Sequence, residues 1–454
     1  MEKINLEKFI FISISFSTIF ILIYNFFHYS PLLGYDAEAH YDYVNYFSMY
    51  LPDTFNLPSN KDSREFFNPP LAYLFPSLIQ VACRNIIKST DLLSECQSIY
   101  GKFTMLFQYL LYLLTLIVNM KSIQKILNIK SYKITSYLLL ISMLAVNYRT
   151  ISMITGEPYI LFFLSLFIYS LILASKKGFD VNYKYFLFTG LLIGLLALSR
   201  QWGFLLFPAL GLLIFDKSIK NRKKYFSFIT YSFFIGFIVS SWFYINLYLK
   251  YGSFTKFNKD SLGFNLTNKP TNFYFPSMEH LEILFTNPIR PYLNNQFLTT
   301  LYADLWGDYW GFFSFTSKYL NIGRNQLSIG SYLGNVNKLA VFSTFIILLF
   351  YILSNRNNKG EFVVKYVSFS VLFSLFGYLW FVISYPESTG DTVKASYMIQ
   401  IFHLIVFSAS IYFESIKSKN KKLYNSLLAT LFIIYLYNFQ TYLSHFPEEF
   451  ILNF

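Results

Sequence analysis

The chain alternates long apolar stretches with short polar segments that are rich in lysine. A helix needs roughly 17 to 25 apolar residues to cross a bilayer core about 30 Å thick, because its backbone polar groups must bond within the helix. Eleven stretches without Asp, Glu, Lys or Arg approach or reach that length: 9–29, 103–120, 134–148, 158–175, 185–199, 201–215, 225–249, 339–354, 366–385, 395–413 and 423–443. The pattern therefore predicts an all-α polytopic membrane protein with about eleven transmembrane helices.

Two predicted outer loops are much longer than the others and cover residues 30–102 and 250–338. Within the first loop, the apolar run 71–83 contains a proline and is too short to span, so it predicts a juxtamembrane helix that is interfacial or re-entrant. We expect residues 1–454 to form a single integral membrane domain. Long loops on one face of a helical bundle are where a site is commonly built.

The distribution of lysine and arginine predicts the orientation in the membrane. With the N-terminus inside, 21 of the 37 Lys and Arg residues fall in short inner loops, and 18 of the 24 carboxylates fall outside. Cytoplasmic loops retain positive charge, and every inner loop agrees with this topology. We therefore expect a cytoplasmic N-terminus and an extracytoplasmic site, in a bacterial inner or plasma membrane or, in a eukaryote, the endoplasmic reticulum.

The composition narrows the function classes. Hydrophobic residues make up 54% of the chain and charged residues only 13%, whereas a soluble surface needs about a quarter charged residues. The net charge of +13 is spread over short clusters between apolar runs, so no nucleic-acid partner is predicted. Cys83 and Cys96 both lie in the first outer loop, where a disulfide is permitted but not required.

The segment GYDAEAHYDY, which follows the first span, carries the most concentrated candidate chemistry. If it is helical, Glu38 and Asp42 share one face, and Asp36 and His40 are likewise four residues apart. Carboxylates close to lipid and to each other have their protonated forms favoured, which suits a general base or a metal site. The alternative is that Asp36 only caps the helix and His40 is a surface residue.

Two more acids stand beside prolines. Glu65 comes shortly before Pro69 and Pro70, and is either a site residue or half of an exposed ion pair. Glu157 stands in TGEP at the predicted outer end of the fourth span, where it is either a helix cap or a carboxylate that converges with Asp36.

The remaining candidates are predicted to bind substrate. Arg200 interrupts the apolar sequence between two spans, where it either reaches to the interface or binds an anion such as a phosphate. Asp308 lies in ADLWGDYWGFF, whose alternating acids and rings suit a sugar but are also common at membrane interfaces. Arg324, Asp391 and Lys394 complete the set, and Lys394 is either an ordinary loop lysine or a partner for a lipid phosphate.

The order of GYDAEAHYDY, NPPLAY, TGEP, SRQWG and GDTVKASYM resembles C-superfamily membrane glycosyltransferases, in particular the protein O-mannosyltransferase and aminoarabinose-transferase branch. The resemblance implies a hexosyltransferase that moves sugar, with inversion, from a polyprenyl- or dolichyl-phosphate donor to a lipid, glycan or protein acceptor. It implies Asp36 as the general base, Glu157 as a second acid that orients the acceptor or holds a divalent metal with Asp36, and Arg200 and Lys394 as cations for the leaving phosphate. The D-A-E spacing departs from the family's adjacent Asp-Glu pair, which leaves Glu38 or His40 to share the role of Asp36.

Two other functions stay open. A secondary transporter or flippase is expected to carry ionisable groups near the membrane centre, and His403 is the only such group well inside a predicted span. A polysaccharide polymerase or ligase would also act on lipid-linked sugars.

Overall fold

The computed structural model describes residues 6–51, 53–86, 92–131, 133–179, 183–216, 219–314, 326–358, 361–387 and 392–446. Helices make up 76% of the structure and no strand occurs in those ranges, which confirms the all-α class. The α-helices are α1 Leu6–His28, α2 Ala37–Tyr50, α3 Leu71–Ile86, α4 Leu92–Leu127, α5 Thr135–Ser142, α6 Ala145–Ser152, α7 Glu157–Lys176, α8 Tyr183–Ser199, α9 Pro208–Leu212, α10 Arg222–Tyr251, α11 Thr271–Tyr274, α12 Met278–Thr286, α13 Phe297–Trp306, α14 Gln326–Asn357, α15 Phe362–Ser384, α16 Ile399–Lys419 and α17 Lys421–Tyr437.

Among the described residues, seven helices are long and apolar enough to cross a membrane: Leu6–His28, Cys96–Leu127, Glu157–Lys176, Arg222–Tyr251, Ile329–Asn357, Phe362–Ser384 and Ala395–Lys419. Each coincides with a predicted span, and the chain is a multi-pass membrane protein. The other four predicted spans fall on shorter or interrupted helices: α5 with α6, α8, α17, and the stretch 201–215, which consists of two 3₁₀ turns on either side of α9. The total of eleven spans stays a prediction.

The break between α5 and α6 is stabilised by polar side chains inside the bundle. The Asn147 side-chain nitrogen donates to the carbonyl oxygen of Ile141 at 2.8 Å, and the backbone N–H of Leu144 donates to the same oxygen at 3.3 Å. The Asn147 side-chain oxygen lies 2.9 Å from Nε2 of His403. His403, the ionisable group inside a predicted span, thus has a structural partner.

The described part of the stretch 30–102, which the sequence predicted as an outer loop, is mainly helical. Helix α2 packs on α3, and α3 packs on α4, with the ring of Tyr43 stacked on that of Tyr73 at 3.8 Å. A disulfide joins Cys83 of α3 to Cys96 of α4. The predicted juxtamembrane helix is therefore present as α3, with Pro76 inside it.

Close packing of α8 on α10 fixes the position of the turn that follows α8. A Cβ atom at Gly190 would lie 2.6 Å from the carbonyl oxygen of Ser232, and one at Gly194 would lie 2.5 Å from Cβ of Val239. Only glycine allows the two helix backbones to approach this closely. The end of α8 is thereby held in place, and Arg200 is the next residue along the chain.

Candidate active site

Six segments of the chain meet around a cavity of about 220 Å³. They are the turn before α2, the loop before α3, the turn after α8, the loop after α10, the end of α15 and the segment before α16. The cavity is lined by Asp36, Arg64, Glu65, Phe67, Asn68, Arg200, Gln201, Trp202, Phe257, Asn258, Lys259, Phe381, Glu387, Thr392, Lys394 and Tyr397. We call this space the main cavity; it contains four residues that the sequence predicted, Asp36, Glu65, Arg200 and Lys394.

Asp36 is directed into the main cavity by an unusual turn. It has a left-handed backbone conformation with φ of 51°, which an aspartate tolerates better than most residues. Two residues earlier, Gly34 has φ of 136°, and a Cβ there would lie 2.9 Å from Cγ of Met153. The Asp36 side chain makes no capping bond to α2 and instead lies 3.1 Å from Nζ of Lys394. Asp36 thus occupies the N-cap position of α2, but its side chain pairs with Lys394 and does not cap the helix.

The Asp36 carboxylate is held in its charged form. The ammonium of Lys394 lowers its pKa from 3.8 to about 2, against the opposing effect of burial. The Arg64 guanidinium adds a weaker contact at 3.9 Å and is mostly exposed. Without a ligand in the main cavity, Asp36 is therefore ionised and paired with Lys394.

Lys394 is 7% exposed and is positioned by hydrogen bonds to its backbone. Its N–H donates to the Tyr378 hydroxyl at 2.9 Å, and the neighbouring N–H of Ala395 donates to Asp304 at 2.7 Å. The ammonium lies over the rings of Tyr35 and Tyr397, at 4.9 Å and 5.2 Å from their centroids. Cation–π contacts of this kind keep a buried ammonium charged.

Arg200 and Glu157 form the second buried ion pair. Nε of Arg200 donates to Glu157 at 2.9 Å, and Nη1 donates to the side-chain oxygen of Asn68 at 2.5 Å. A Cβ at Gly156 would lie 2.2 Å from the carbonyl oxygen of Ser199, so glycine allows the start of α7 to reach Arg200. Nη2 of Arg200 makes no hydrogen bond to the described residues, which leaves it available to a ligand.

A smaller cavity of about 10 Å³ separates Asp36 from Glu157 and has room for roughly one water molecule. Both acids line it, and three polar atoms around it are buried without a hydrogen-bond partner among the described residues: one oxygen of Glu157 and the hydroxyls of Thr150 and Thr155. Buried polar atoms are normally satisfied by protein or by ordered water. The two acids therefore border the same small polar space.

His40 and Glu38 differ sharply in position. His40 is buried, lines the smaller cavity, and has Nδ1 2.7 Å from the Tyr73 hydroxyl. Burial lowers its pKa to about 4, so it is neutral at physiological pH. Glu38 is exposed and does not line either cavity. Of the two residues that the D-A-E spacing left open, His40 is the one beside Asp36.

Glu65 is buried close to Arg200, with 3.9 Å between the carboxylate and Nη1. Burial raises its pKa to about 7, although the charge of Arg200 opposes this. The side chain of Asn68 donates to Glu65 and accepts from Arg200, so it connects the two. Glu65 is therefore a group that changes its protonation near neutral pH at the wall of the main cavity.

Comparisons with known proteins give a similarity in structure only. No protein-family model matches the chain, and no curated protein matches it. The structure is similar to two crystal structures of ArnT from Cupriavidus metallidurans, one in the apo state and one bound to undecaprenyl phosphate. Sequence identities are 12% and 10%, the TM-score is 0.47 for both, and each comparison covers 91% of this chain. The chain spans 61% of the length of ArnT in each comparison.

One of the predicted substrate-binding residues, Asp308, lies away from both cavities. Asp308 is buried outside both cavities, where it accepts from the N–H groups of Phe313 and Ser314 at 2.9 Å and 2.8 Å. This geometry gives Asp308 a role in shaping a turn. Arg324 and Asp391 lie outside the described residues.

A buried ion cluster behind the site was not predicted from the sequence. Arg149, 1% exposed, donates to Asp304 at 2.8 Å and lies 3.4 Å from Asp308. Asp304 in turn accepts from the N–H group next to Lys394. Arg149 directly follows a predicted span, as Arg200 does, and that shared position was the signal that could have identified it.

The candidate carboxylates do not fit a resident divalent metal. Among the described residues there is no group of three or more His, Cys, Asp or Glu side chains that could hold a metal ion. Asp36 and Glu157 are each paired with a cation, and a positive charge at this distance opposes the binding of a second one. We assign no step to a metal.

Proposed function

We propose that this protein is an inverting hexosyltransferase that moves a sugar from a polyprenyl- or dolichyl-phosphate donor to a lipid, glycan or protein acceptor. The observation that carries the proposal is the main cavity, where two buried cations, Lys394 and Arg200, lie with the acid Asp36. A donor phosphate needs positive charges beside it, and removal of the acceptor's proton needs a carboxylate, so both kinds of charge must line the same space. The order of the sequence motifs supports the same function.

Lys394 and Arg200 bind the donor phosphate in this proposal. Lys394 offers a compact ammonium and Arg200 a free Nη2 group, and charge-assisted hydrogen bonds to phosphate are strong. The aromatic part of the cavity wall consists of Phe67, Trp202, Phe257, Phe381 and Tyr397. Ring faces of this kind pack against the C–H faces of a sugar.

Asp36 accepts the proton of the acceptor hydroxyl or amine. The acceptor's electron pair forms the new bond to the anomeric carbon, and the bond from that carbon to the phosphate oxygen breaks. The leaving phosphate retains the electron pair, and its growing negative charge is stabilised by Lys394 and Arg200. Attack from the face opposite the phosphate inverts the anomeric centre.

The donor also changes the state of Asp36. A carboxylate with a pKa of about 2 is a weak base, and Lys394 is the main cause of that low value. A donor phosphate that binds Lys394 takes the ammonium away from Asp36, so the pKa of the carboxylate rises. Asp36 thereby becomes a better base when the sugar to be transferred is in place.

The disulfide supports an extracytoplasmic site. The bond between Cys83 and Cys96 lies in the helical layer beside Asp36, and disulfides persist in oxidising compartments. This agrees with the orientation predicted from the lysine-rich inner loops. We propose that the site faces the periplasm or cell exterior, or the lumen of the endoplasmic reticulum in a eukaryote.

The test is turnover of radiolabelled polyprenyl-phosphate hexoses by the purified protein in liposomes. We expect one donor to lose its sugar and release polyprenyl phosphate, and the Asp36→Asn variant to leave that donor intact. A donor that crosses the bilayer without losing its sugar would instead identify a flippase. Failure of every donor, with every class of acceptor present, would contradict the proposal.

A further inference from the structure

A second cavity lies at the opposite, lysine-rich end of the bundle and has no part in the proposed transfer. Its volume is about 820 Å³, within the size range of ligand sites. We call it the inner cleft; it is lined by Glu7, Lys8, Phe11, Ile12, Leu127, Ile129, Ser131, Lys133, Thr135, Glu414, Ser415, Lys417 and Ser418. These residues come from the start of α1, the segment joining α4 to α5, and the end of α16.

The carboxylates of the inner cleft are already satisfied by protein groups. Glu7 lies 2.6 Å from the ammonium of Lys417. Glu414 accepts hydrogen bonds from the hydroxyls of Ser136 at 2.6 Å and Tyr424 at 3.0 Å. The charge of Glu7 is therefore balanced by Lys417, and Glu414 is occupied by two hydroxyl donors.

Two lysines of the inner cleft have no carboxylate partner among the described residues. Lys8 is exposed at the start of α1 and makes no ion pair there. Lys133 is exposed, and its ammonium lies 5.8 Å from the ring centroid of Phe11. The rim of the cleft therefore presents two free positive charges.

The cleft becomes apolar one helical turn further into the bundle. Lys8, Phe11 and Ile12 are spaced by three and four residues, so they share one face of α1. Leu127 and Ile129 supply the facing apolar wall. Cations at the membrane surface with an apolar wall beneath them match the polarity profile of an anionic phospholipid, whose phosphate lies above its acyl chains.

We propose that the inner cleft binds an anionic phospholipid from the adjacent leaflet, with its phosphate between Lys8 and Lys133 and its acyl chains along Phe11 and Ile12. Basic pockets between membrane helices on the cytoplasmic side commonly bind such headgroups. The site is separate from the main cavity, and the proposal does not depend on glycosyl transfer.

The test is native mass spectrometry of the full chain in nonionic detergent, titrated with dioleoyl-phosphatidylglycerol or dioleoyl-phosphatidylcholine. We expect phosphatidylglycerol to bind at least tenfold more tightly. The Lys8→Gln/Lys133→Gln variant should lose about 30-fold in affinity for phosphatidylglycerol, since each lysine beside the headgroup contributes a factor of about five. The matched control Lys121→Gln/Lys125→Gln removes two exposed lysines of α4 outside the cleft and should bind as the wild type does.

Several outcomes would overturn the proposal. Equal affinity for the two lipids would show that the cleft does not select an anion, and unchanged affinity of the Lys8→Gln/Lys133→Gln variant would place the lipid elsewhere. Displacement of the lipid by equimolar glycerol 3-phosphate would indicate an anion site without an acyl subsite. Binding only after removal of residues 2–5 would mean that the N-terminal segment of the chain occupies the cleft.

Discussion

Replacing Asp36 by asparagine would separate the two roles that the proposed mechanism gives to the charges of the main cavity, which are proton transfer and phosphate binding. The substitution keeps the size of the side chain but removes the proton acceptor and the ion pair with Lys394 at 3.1 Å. Lys394 keeps its contacts with the rings of Tyr35 and Tyr397, so the ammonium stays in place. We therefore expect the rate constant for transfer to fall and the affinity for the donor to rise.

The magnitudes follow from the geometry of the pair. General base catalysis typically contributes 10²–10⁴-fold, so kcat should fall at least about 100-fold. Lowering of the Asp36 pKa from 3.8 to about 2 corresponds to about 2.5 kcal/mol, but 36% of the side chain is exposed, and solvent screening reduces this to about 1 kcal/mol. A donor phosphate that no longer competes with Asp36 for Lys394 should bind about fivefold more tightly.

The assay combines single-turnover sugar transfer with equilibrium binding of the polyprenyl-phosphate product. Asp42→Asn is the matched control, because Asp42 lies on the same helix and is exposed to solvent. Glu38→Gln tests the other acid that the sequence named. We expect both control variants to remain within about twofold of the wild type, since surface changes away from a site have small effects.

Two results would refute this reasoning. More than a tenth of the wild-type kcat in Asp36→Asn would remove Asp36 as the base. Weaker binding of polyprenyl phosphate by the same variant would mean that Asp36 orients Lys394 for the phosphate rather than competing with it. In the second case the donor would not activate the base.

Three further predictions concern the buried pairs and the orientation. Arg200→Met leaves Glu157 buried without its cation, so it should lower the free energy of unfolding by about 3–5 kcal/mol. The double variant Arg200→Met/Glu157→Leu should regain much of that stability. Equal melting temperatures for the single and double variants would contradict this. Glu65 holds its proton up to pH about 7 in the folded chain but only to about 4.5 when unfolded, so its own contribution to stability should fall by up to about 3 kcal/mol as pH rises between these values, while His40, with its pKa lowered to about 4, contributes in the opposite direction. The test is therefore the difference between the wild type and Glu65→Gln: the variant should lose less stability as pH rises from 4.5 to about 7, and identical pH profiles of the melting temperature would disprove the assignment. On intact cells, a membrane-impermeant reductant should break the Cys83–Cys96 disulfide, so that an impermeant maleimide labels both cysteines. Labelling only after cell lysis would mean that the orientation is the reverse of the predicted one.

Length and apolar content predicted the long helices but not the interruptions. A helix such as α7 or α15 can be predicted from the sequence, because an uninterrupted apolar stretch of 20 or more residues has few other stable conformations in a membrane. The stretch 134–148 was also predicted as a span, yet it is divided into α5 and α6, and Asn147 in the second helix contacts both the carbonyl of Ile141 and the ring of His403. The contact with His403 joins residues 256 positions apart, so the hydropathy of the chain does not reveal it.

The site residues could be chosen from the sequence, but their partners could not. Asp36 and Arg200 were recognisable as charges close to the ends of apolar spans. The pairing of Asp36 with Lys394 joins residues 358 positions apart, and only the fold determines which cation reaches which acid. Helical spacing could have shown that Glu38 is exposed. Ala39, Tyr43 and Phe47 are four residues apart and form the buried face of α2, and Glu38 lies on the solvent face.

The unequal burial of the two ion pairs decides which of them a donor can open. A charge in a dry interior needs an opposite charge beside it, so a phosphate that enters the main cavity must displace an existing partner or find a free donor group. The Asp36 side chain is 36% exposed, whereas Glu157 is only 2% exposed, so water can solvate a released Asp36 but not a released Glu157. Opening the Asp36–Lys394 pair therefore costs less, and the Glu157–Arg200 pair stays closed and presents Nη2 of Arg200. In the proposed mechanism, donor binding and activation of the base would then be one event, and this would let an acid with a resting pKa of about 2 accept a proton during transfer.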